Sequence, residues 1–399
     1  MAEAAFYFNP WDPEFRANPY PHYAALLDGS ARVIPLGPMS AVLVARYRDA
    51  TAILRDHAHF SSVGPPPPPN QYQGPLAGSK TVLGSDPPDH SRLRRLASRD
   101  FTPRRVLELE PRIREIAREL LAPMESRGEF DVMAELANVL PVRVIAEMLG
   151  IPAEHGPRFK DWSDRIIASG NTTPGAPPAP QAIDAIESLA AYLKEEIERR
   201  RQKPGPDLVS ALISAHDDAD SLTEGELLSF VVLLLIAGNE TTTNLIGNGT
   251  HALARNPAAI DQLRREPALL PRAIEEMLRY DPAVQSTARF PKADVEVGGT
   301  KIPAGSIVLV VVAAANRDPA QFPDPQRFDI TRDPNEHLSF GEGIHFCLGA
   351  PLARLEARVV FEEMLARFPK LRLANPDEKP AHKGSYFLRG LDSLRMATR

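Results

Sequence analysis

The chain is 399 residues long and carries 46 basic and 52 acidic side chains, and its net charge of −6 argues against a nucleic-acid binder. Proline (40) and glycine (24) together make up about 16% of the residues, below the roughly 25–30% typical of disordered chains, so we expect a globular protein. The single cysteine excludes an internal disulfide and a cysteine-rich zinc site.

The N-terminus and the longest apolar run bear on location. Residues 1–10 include an early acid and no basic region, which is not the pattern of a secretory signal. The longest apolar run, Phe230 to Ala237, has eight residues, whereas a membrane-spanning helix needs about 20. We therefore expect a cytoplasmic protein with no membrane segment, in which the lone thiol stays reduced.

The first predicted elements are helices separated by proline-rich loops. Residues 64–69 contain five consecutive prolines, and a second proline-rich loop lies at 169–180. Apolar side chains recur at helical spacing in Val106 to Leu121 and in Ile183 to Arg200. Loops of this length within a compact domain are usually functional, so we expect a functional role for the two proline-rich loops.

A long central helix follows. Thr223 and Glu226 form a capping box, and the helix can run to Asn256, about 50 Å at about 1.5 Å per residue. Its first half is apolar on nearly every face, which predicts a buried helix. In its middle, residues 237–243 read Ala-Gly-Asn-Glu-Thr-Thr-Thr, and buried polar groups are costly unless they are partnered or functional. The alternative is that the helix leaves the core at Asn239.

Strand patterns are few and short. Residues 295–302 alternate around a Gly-Gly turn, which predicts a hairpin, and residues 307–312 form a β-branched run typical of a buried strand. Length alone is compatible with two or three domains, but no repeat or linker divides the chain, so we expect one domain over residues 1–399. The predicted fold is mainly α with small β-sheets.

The cysteine lies in a loop punctuated by glycines, just before an amphipathic helix. Gly341, Gly343 and Gly349 bring backbone N–H groups close to the sulfur of Cys347. A helix N-terminus stabilises a thiolate and lowers its pKa, as a metal-ligating thiolate requires. The alternative is a lone cysteine that packs as a small hydrophobic residue.

Residues 340–349 resemble the haem-binding loop of the cytochrome P450 family, whose pattern is Phe-x-x-Gly-x-His-x-Cys-x-Gly. The resemblance extends over about residues 8–394 and implies the P450 fold of the soluble bacterial type, built around a long central helix and a Cys-ligand loop. It also implies haem b (iron protoporphyrin IX), with the Cys347 thiolate as the ligand of the iron. The positions that match the pattern are Phe340, Gly343, His345, Cys347 and Gly349.

The middle of the central helix is similar to the oxygen-activation motif of the same family, Ala-Gly-x-Glu-Thr. This resemblance implies that the helix opens locally at Gly238. It further implies that Glu240 relays protons from solvent and that Thr241 holds water or the bound oxygen through its hydroxyl.

Two other sets of residues are assigned by the resemblance. The Glu-x-x-Arg motif fits Glu276 and Arg279, and the family's later arginine fits Arg327, which implies a buried network that is structural rather than catalytic. Arginine and histidine suit the two carboxylates of haem, the propionates. The residues that fit these positions are His90, Arg94, Arg289 and His345.

Substrate and redox partners are expected from composition and resemblance together. Six arginines and two aspartates lie between Asp89 and Arg105, so we expect a dock for an acidic ferredoxin or flavodoxin, with a solvated helix as the alternative. Arg354, Arg358 and Arg367 would extend that surface. The expected pocket is apolar, for a neutral small lipophilic molecule. Its walls would include Leu233, Ile236, Ala237, Gln285 and Phe387.

The resemblance implies a monomeric monooxygenase that inserts one atom of dioxygen into its substrate, by hydroxylation or epoxidation. No reductase domain fits beside the haem fold in 399 residues, so an NAD(P)H reductase and a ferredoxin or flavodoxin would be separate proteins. Two alternatives remain open: a peroxide-driven peroxygenase of the same fold, against which the Glu240 and Thr241 pair argues, and a non-catalytic haem-binding sensor.

Overall fold

A computed structural model describes residues 7–29, 31–36, 39–66, 72, 74–98, 101–169, 178–214, 222–383 and 387–399. Over these residues the fold is mainly helical with small sheets, which confirms the predicted class. Parts of both proline-rich loops, 67–69 and 170–177, lie outside the described residues.

The helices surround one long element, α11. In chain order they are α1 (Pro13–Ala17), α2 (Tyr20–Leu27), α3 (Tyr47–Arg55), α4 (Asp89–Ser98), α5 (Pro103–Glu108), α6 (Glu110–Glu125), α7 (Leu140–Met148), α8 (Gly156–Ser169), α9 (Pro180–Gln202), α10 (Leu208–Ser214), α11 (Glu224–Arg255), α12 (Pro257–Arg265), α13 (Leu270–Tyr280), α14 (Val312–Ala315) and α15 (Ala350–Arg367). Short π and 3₁₀ turns occupy 133–137, 153–155, 267–269 and 343–345.

The strands form three small sheets. They are β1 (Arg32–Leu36), β2 (Met39–Val44), β3 (Phe60–Ser61), β4 (Glu129–Asp131), β5 (Thr287–Pro291), β6 (Val295–Val297), β7 (Thr300–Ile302), β8 (Ile307–Val310), β9 (Arg372–Leu373) and β10 (Arg395–Ala397). Their orders are β1-β2-β8-β5-β3, β4-β10-β9 and β6-β7, with β2 and β8 parallel and the other pairs antiparallel. The predicted hairpin at 295–302 is therefore confirmed as β6-β7.

The largest sheet is buried on both faces. Val42 and Val308 pack into one hydrophobic cluster, whereas their neighbours Leu43 and Leu309 pack into the cluster on the other face. Because side chains alternate along a strand, a strand covered on both sides is apolar throughout. The strand predicted over 307–312 is confirmed for 307–310, whereas Val312 begins α14.

The capping box of α11 is confirmed: the Thr223 hydroxyl accepts from Glu226 N at 3.2 Å, and the Glu226 carboxylate accepts from Thr223 N at 2.8 Å. The helix packs against α7, α9, α13 and α15. Among the described helices α11 alone is long and apolar enough to cross a membrane by composition, but 67% of its apolar window is buried inside the protein. That burial is typical of a core helix.

The predicted helix over 106–121 is wrong in one respect. The structure has two helices there, α5 and α6, with a break at Leu109. Pro111 explains the break, because proline has no N–H to continue the hydrogen bonding of α5 yet fits the first turn of α6.

Candidate active site

The cysteine loop is held against α3 and α15. Cys347 N donates to Phe340 O at 2.8 Å, and Gly349 is the N-cap of α15. Gly343 has a φ of 69°, and a Cβ at that position would lie 2.8 Å from the carbonyl oxygen of Leu54, the penultimate residue of α3. The loop therefore needs glycine there, both for its backbone conformation and for its close approach to α3.

The Cys347 thiol lies on the wall of a recess. Its side chain is accessible, yet protein surrounds it closely enough that burial raises the pKa of the thiol. The backbone N–H groups of Gly349 and Ala350 and the charge of Arg94 act in the opposite direction. The direction is therefore opposite to the expected lowering of this pKa, because desolvation outweighs the helix terminus.

The four side chains predicted to hold propionates lie beside this recess. The rings of His90 and His345 are 4.3 Å apart between centroids, and His345 Nε2 is 2.9 Å from the Ser62 hydroxyl. Burial, then the neighbouring His90 and Arg289, lowers the pKa of His345 to about 4. Arg94 lies close enough to interact electrostatically with both His90 and Cys347.

These groups are incompletely satisfied by the protein. Arg289 is buried and donates to the Ala288 carbonyl at 2.8 Å and the Thr287 hydroxyl at 3.4 Å, neither of them charged. His90 Nε2 is buried and has no hydrogen-bond partner among the described residues. Burial lowers the pKa of both Arg94 and Arg289, as expected for cations that lack a bonded carboxylate. A ligand with two carboxylates beside the sulfur fits this donor set.

One face of α11 is accessible in the middle of the protein. Residues 233, 234, 236, 238 and 241 are partly exposed and Ala237 is exposed, whereas nearly all of 226–232 and 239–254 is buried. Among them Leu233, Ile236, Ala237 and Thr241 follow helical spacing, so they form one accessible strip. The predicted pocket residues of α11 and Thr241 thus share one face.

Glu240, next to that strip, is buried at 3% exposure and is an ion-pair partner of two lysines. Lys383 Nζ lies 3.0 Å from Oε1 and Lys160 Nζ lies 3.7 Å from Oε2. The polar cluster is therefore inside the protein, and the alternative in which α11 leaves the core at Asn239 is excluded.

The expected opening of the helix at Gly238 is wrong. Residues 224–255 form an uninterrupted α-helix, and the Thr241 hydroxyl donates to the Ala237 carbonyl at 2.7 Å. Such a bond to the preceding turn satisfies the hydroxyl hydrogen without breaking the helix.

The network around Glu276 is buried as predicted, but one member differs. Arg279 donates to the Glu276 carboxylate at 2.7 and 2.8 Å, and both side chains are fully buried. The second guanidinium comes from Arg332, at 3.2 Å, and Asn335 donates at 3.1 Å. Arg327 was the wrong choice, because its side chain is exposed and only its carbonyl accepts from Arg279.

Glu275 and Arg354 tie the cysteine loop to α13, and sequence reasoning missed this link. Arg354 donates to both Glu275 oxygens at 2.7 Å and lies 4.5 Å from the centre of the Phe340 ring. Burial acts to raise the pKa of Glu275, but hydrogen bonds from Arg354 and His337 hold it at about 2. The only signal available was the position of Glu275 beside the Glu-x-x-Arg motif.

Two predicted pocket residues lie outside α11. The Gln285 side chain is buried, accepts from the Tyr23 hydroxyl at 3.1 Å and donates to the Pro282 carbonyl at 2.7 Å. Phe387 is half-buried beside it, and Tyr386 lies outside the described residues. A separate cavity of about 540 Å³, lined by Ile113, Val144 and Leu208 among others, contains none of the predicted site residues.

Several arginines of the predicted basic surface are ion-paired within the protein or lie near the cysteine. On α4, Arg92 pairs with Glu226 and Arg94 faces the cysteine. The three arginines of α15 that were expected to extend this surface are all ion-paired, and Arg99 and Asp100 lie outside the described residues. Arg354 pairs with Glu275. Arg358 pairs with Glu110 and Glu362, and Arg367 pairs with Glu125 and Glu363.

Comparison with known proteins agrees with this geometry. Residues 29–166 and 177–389 match the family model for cytochrome P450. The 6-deoxyerythronolide B hydroxylase of Saccharopolyspora erythraea is 40% identical over 398 residues, which cover 95% of this chain and 96% of that protein. The cytochrome P450 monooxygenase PikC of Streptomyces venezuelae is 44% identical over 390 residues, covering 96% and 91% of the two chains.

A solved structure shows the same fold. The crystal structure of a cytochrome P450 from Bacillus megaterium in complex with testosterone has a TM-score of 0.88 and 37% sequence identity, and the match covers 97% of this chain and all of that one (100%). Sequence and fold thus agree over nearly the whole length of the chain. The chain therefore belongs to the cytochrome P450 family, as a bacterial-type monooxygenase that uses haem b, dioxygen and a small-molecule substrate.

Proposed function

We propose that this protein inserts one oxygen atom from dioxygen into a neutral, mainly apolar small molecule, by hydroxylation or epoxidation, with electrons from separate partner proteins. The observation that carries the proposal is the pairing of an accessible thiol loop with an accessible apolar strip on a buried helix. We also infer a cytoplasmic monomer from the sequence.

The proposal assigns a role to each residue around the thiol. Haem b, when bound, supplies the dioxygen chemistry that amino-acid side chains cannot supply. Cys347 would ligate its iron, and Phe340 and Gly349 would shape the loop around the sulfur. The propionates would bind the donors that lack carboxylate partners, Arg94 and Arg289, together with His90 and His345.

Glu240 and Thr241 would move protons on the α11 side. The Thr241 hydroxyl is on the accessible strip and its hydrogen is bonded to Ala237, so its lone pairs can accept from water. Glu240 is buried directly next to it in sequence. We assign proton supply to Glu240 and the holding of water or dioxygen to Thr241.

Substrate class follows from the strip. Leu233, Ile236 and Ala237 offer no charge, and Phe387 adds an aromatic wall. The relative that was solved with testosterone holds a neutral, apolar ligand in the same fold. Tight binding of anionic compounds alone would contradict this assignment.

Electrons would come from an acidic ferredoxin or flavodoxin with an NAD(P)H reductase. The candidate contacts are the exposed Arg104 and Arg105 on α5, which packs against α15, and Phe346, which is 40% exposed beside the cysteine; Arg104 also lies 4.0 Å from Glu108. Reduction by an acidic partner should slow as salt rises, because exposed charges are screened. A flat response would contradict docking by charge.

The experiment that tests the proposal is product stoichiometry. With added ferredoxin and reductase, we expect NAD(P)H consumption to match product, while peroxide alone gives little. Thr241→Ala should keep the haem spectrum but divert reducing equivalents to peroxide. Thr250→Ala is the matched control, because Thr250 makes the same bond to the preceding turn, at 2.7 Å to Ile246, at a buried position of α11. Unchanged coupling in Thr241→Ala refutes its role.

A further inference from the structure

The buried carboxylate of Glu240 is held differently at its two oxygens. Oε1 accepts a hydrogen bond from Lys383 Nζ at 3.0 Å. Oε2 is 3.7 Å from Lys160 Nζ, beyond hydrogen-bond reach, and Lys160 donates instead to Asp164, one turn further along α8. Within the described part of the chain, Oε2 is buried without a hydrogen-bond partner. One oxygen is therefore fixed and the other is left unbonded.

Lys383 belongs to a C-terminal hairpin, residues 381–383 and 387–391, that is attached to α11 at other points. Lys383 N donates to Gly390 O at 3.0 Å, which fixes the backbone that carries the lysine. Gly390 lies directly against Asn244, since a Cβ on Gly390 would be 1.8 Å from the Asn244 Oδ1. Asn248 Nδ2 donates to Arg389 O at 3.1 Å.

Asn244 and Asn248 follow Glu240 by one and two helical turns, on the same face of α11. The hairpin is thus aligned along that face, and the ammonium of Lys383 reaches Glu240 from a backbone with a fixed register. The distance between the two residues in the chain is 143 positions, so only the folded structure creates this pair.

A buried ion pair is weak evidence of a role in stability, because desolvation of both charges offsets their attraction. Its geometric effect is more specific: a carboxylate bonded at one oxygen keeps its orientation. For a group that must deliver a proton to one place, orientation controls the rate.

We propose that Lys383 is a positioning residue for proton delivery: it anchors Oε1 of Glu240 and thereby presents Oε2 as the oxygen that takes up and releases the proton. This inference rests on the proposed role of Glu240. Among the described residues, the side chain of Lys383 bonds to Glu240 and not to the Cys347 thiol or Thr241, so it acts through the carboxylate.

The first test replaces the ammonium. In Lys383→Met and Lys383→Gln, the fixed oxygen is released, so we expect coupled product formation to fall by up to about 100-fold, as misplacement of a catalytic group by about 1 Å can cause. Peroxide should rise, the solvent hydrogen isotope effect on turnover should increase, and the reduced CO spectrum should stay unchanged. Lys383→Arg should restore most of the coupling. Lys379→Met, at an exposed lysine of the same segment, is the control.

The second test combines the change with Glu240→Gln. If Lys383 acts through Glu240, Lys383→Met adds no further loss of coupling in the Glu240→Gln background. Equal coupling of Lys383→Met and the wild type, or independent losses in the double variant, overturns the inference while leaving Glu240 in its role. Wild-type coupling in Glu240→Gln alone overturns the proposed proton relay, and this inference with it.

Discussion

Two buried clusters of charge differ in how completely the protein satisfies them. Around Glu276 the charges are paired: the carboxylate accepts from Arg279, Arg332, Asn335 and the backbone of Asp329, and the polar atom left without a partner among the described residues there is the neutral Oδ1 of Asn335. Beside Cys347, the hydrogen-bond partners of Arg289 are both neutral, and Nε2 of His90 has none among the described residues.

The difference indicates which cluster is structural and which binds a ligand. A charge removed from water needs a compensating partner, and a fold that supplies all the partners itself has built a structural unit. A fold that gathers Arg94, Arg289, His90 and His345 near Asp86, but with no hydrogen bond from any of them to a carboxylate among the described residues, has built a binding site. Four changes test this contrast.

The largest effect is expected at the cluster beside Cys347, from Cys347→Ala. Loss of the only thiol removes the proposed iron ligand, so the strongly red-shifted Soret band of the reduced CO complex should disappear entirely, and oxygenase activity with it. An absorption spectrum under CO measures this. Persistence of the band would overturn the assignment of Cys347.

The second largest effect is a loss of stability, expected at the cluster around Glu276. Arg279→Met leaves the Glu276 carboxylate buried with one guanidinium fewer, which should lower the free energy of unfolding by about 3–5 kcal/mol. Urea unfolding of the haem-bound protein measures it. Arg327→Met, at an exposed side chain, should change it by less than about 0.5 kcal/mol. Equal effects would restore the sequence-based choice of Arg327 over Arg332.

A third change concerns the link between the two clusters. The pKa of Glu275 is held at about 2 against an ordinary 4.5, so its ion pair stabilises the fold above pH 4.5 and loses that contribution as pH falls towards 2. The contribution at neutral pH is roughly 3 kcal/mol. Glu275→Gln should therefore be less stable at pH 7 and converge on the wild type in acid. Parallel unfolding curves from pH 7 to pH 3 would contradict this.

The smallest effect is expected from Arg289→Met. It removes one charge-assisted bond to the bound group, worth about 1.5–3 kcal/mol, and no ion pair within the protein. Haem transfer to a scavenger protein should become faster, while urea unfolding changes less than in Arg279→Met. If Arg289→Met lowered the free energy of unfolding more than Arg279→Met, and Arg279→Met accelerated haem transfer more than Arg289→Met, the contrast between the clusters would be wrong.

The sequence predicted what short spacing encodes. Cys347, Phe340, His345 and Gly349 lie within ten positions, and a loop of that length brings its own residues together. The capping box of α11 is equally local, since Thr223 and Glu226 are three apart. Such features depend on the chain next to them and not on the rest of the fold.

Pairing over long distances was not predictable in the same way. Arg327 and Arg332 lie in one loop, and only the packing of that loop on α13 decides which guanidinium reaches Glu276. The side chain of Gln285 is held by the hydroxyl of Tyr23, 262 positions earlier in the chain. The arginines of α15 were expected to extend the basic surface, but each pairs with a glutamate from another part of the chain, Glu275, Glu110 or Glu125.

The contact between the cysteine loop and α3 determines which positions of the loop tolerate substitution. Gly343 has a φ of 69° and no room for a Cβ against Leu54, whereas Phe346, three residues on, is 40% exposed. In a library of random substitutions, position 343 should return glycine alone among functional clones, while position 346 should return many residues. The outer surface of this loop can therefore diverge to suit a new protein partner, while the side that rests on α3 stays unchanged.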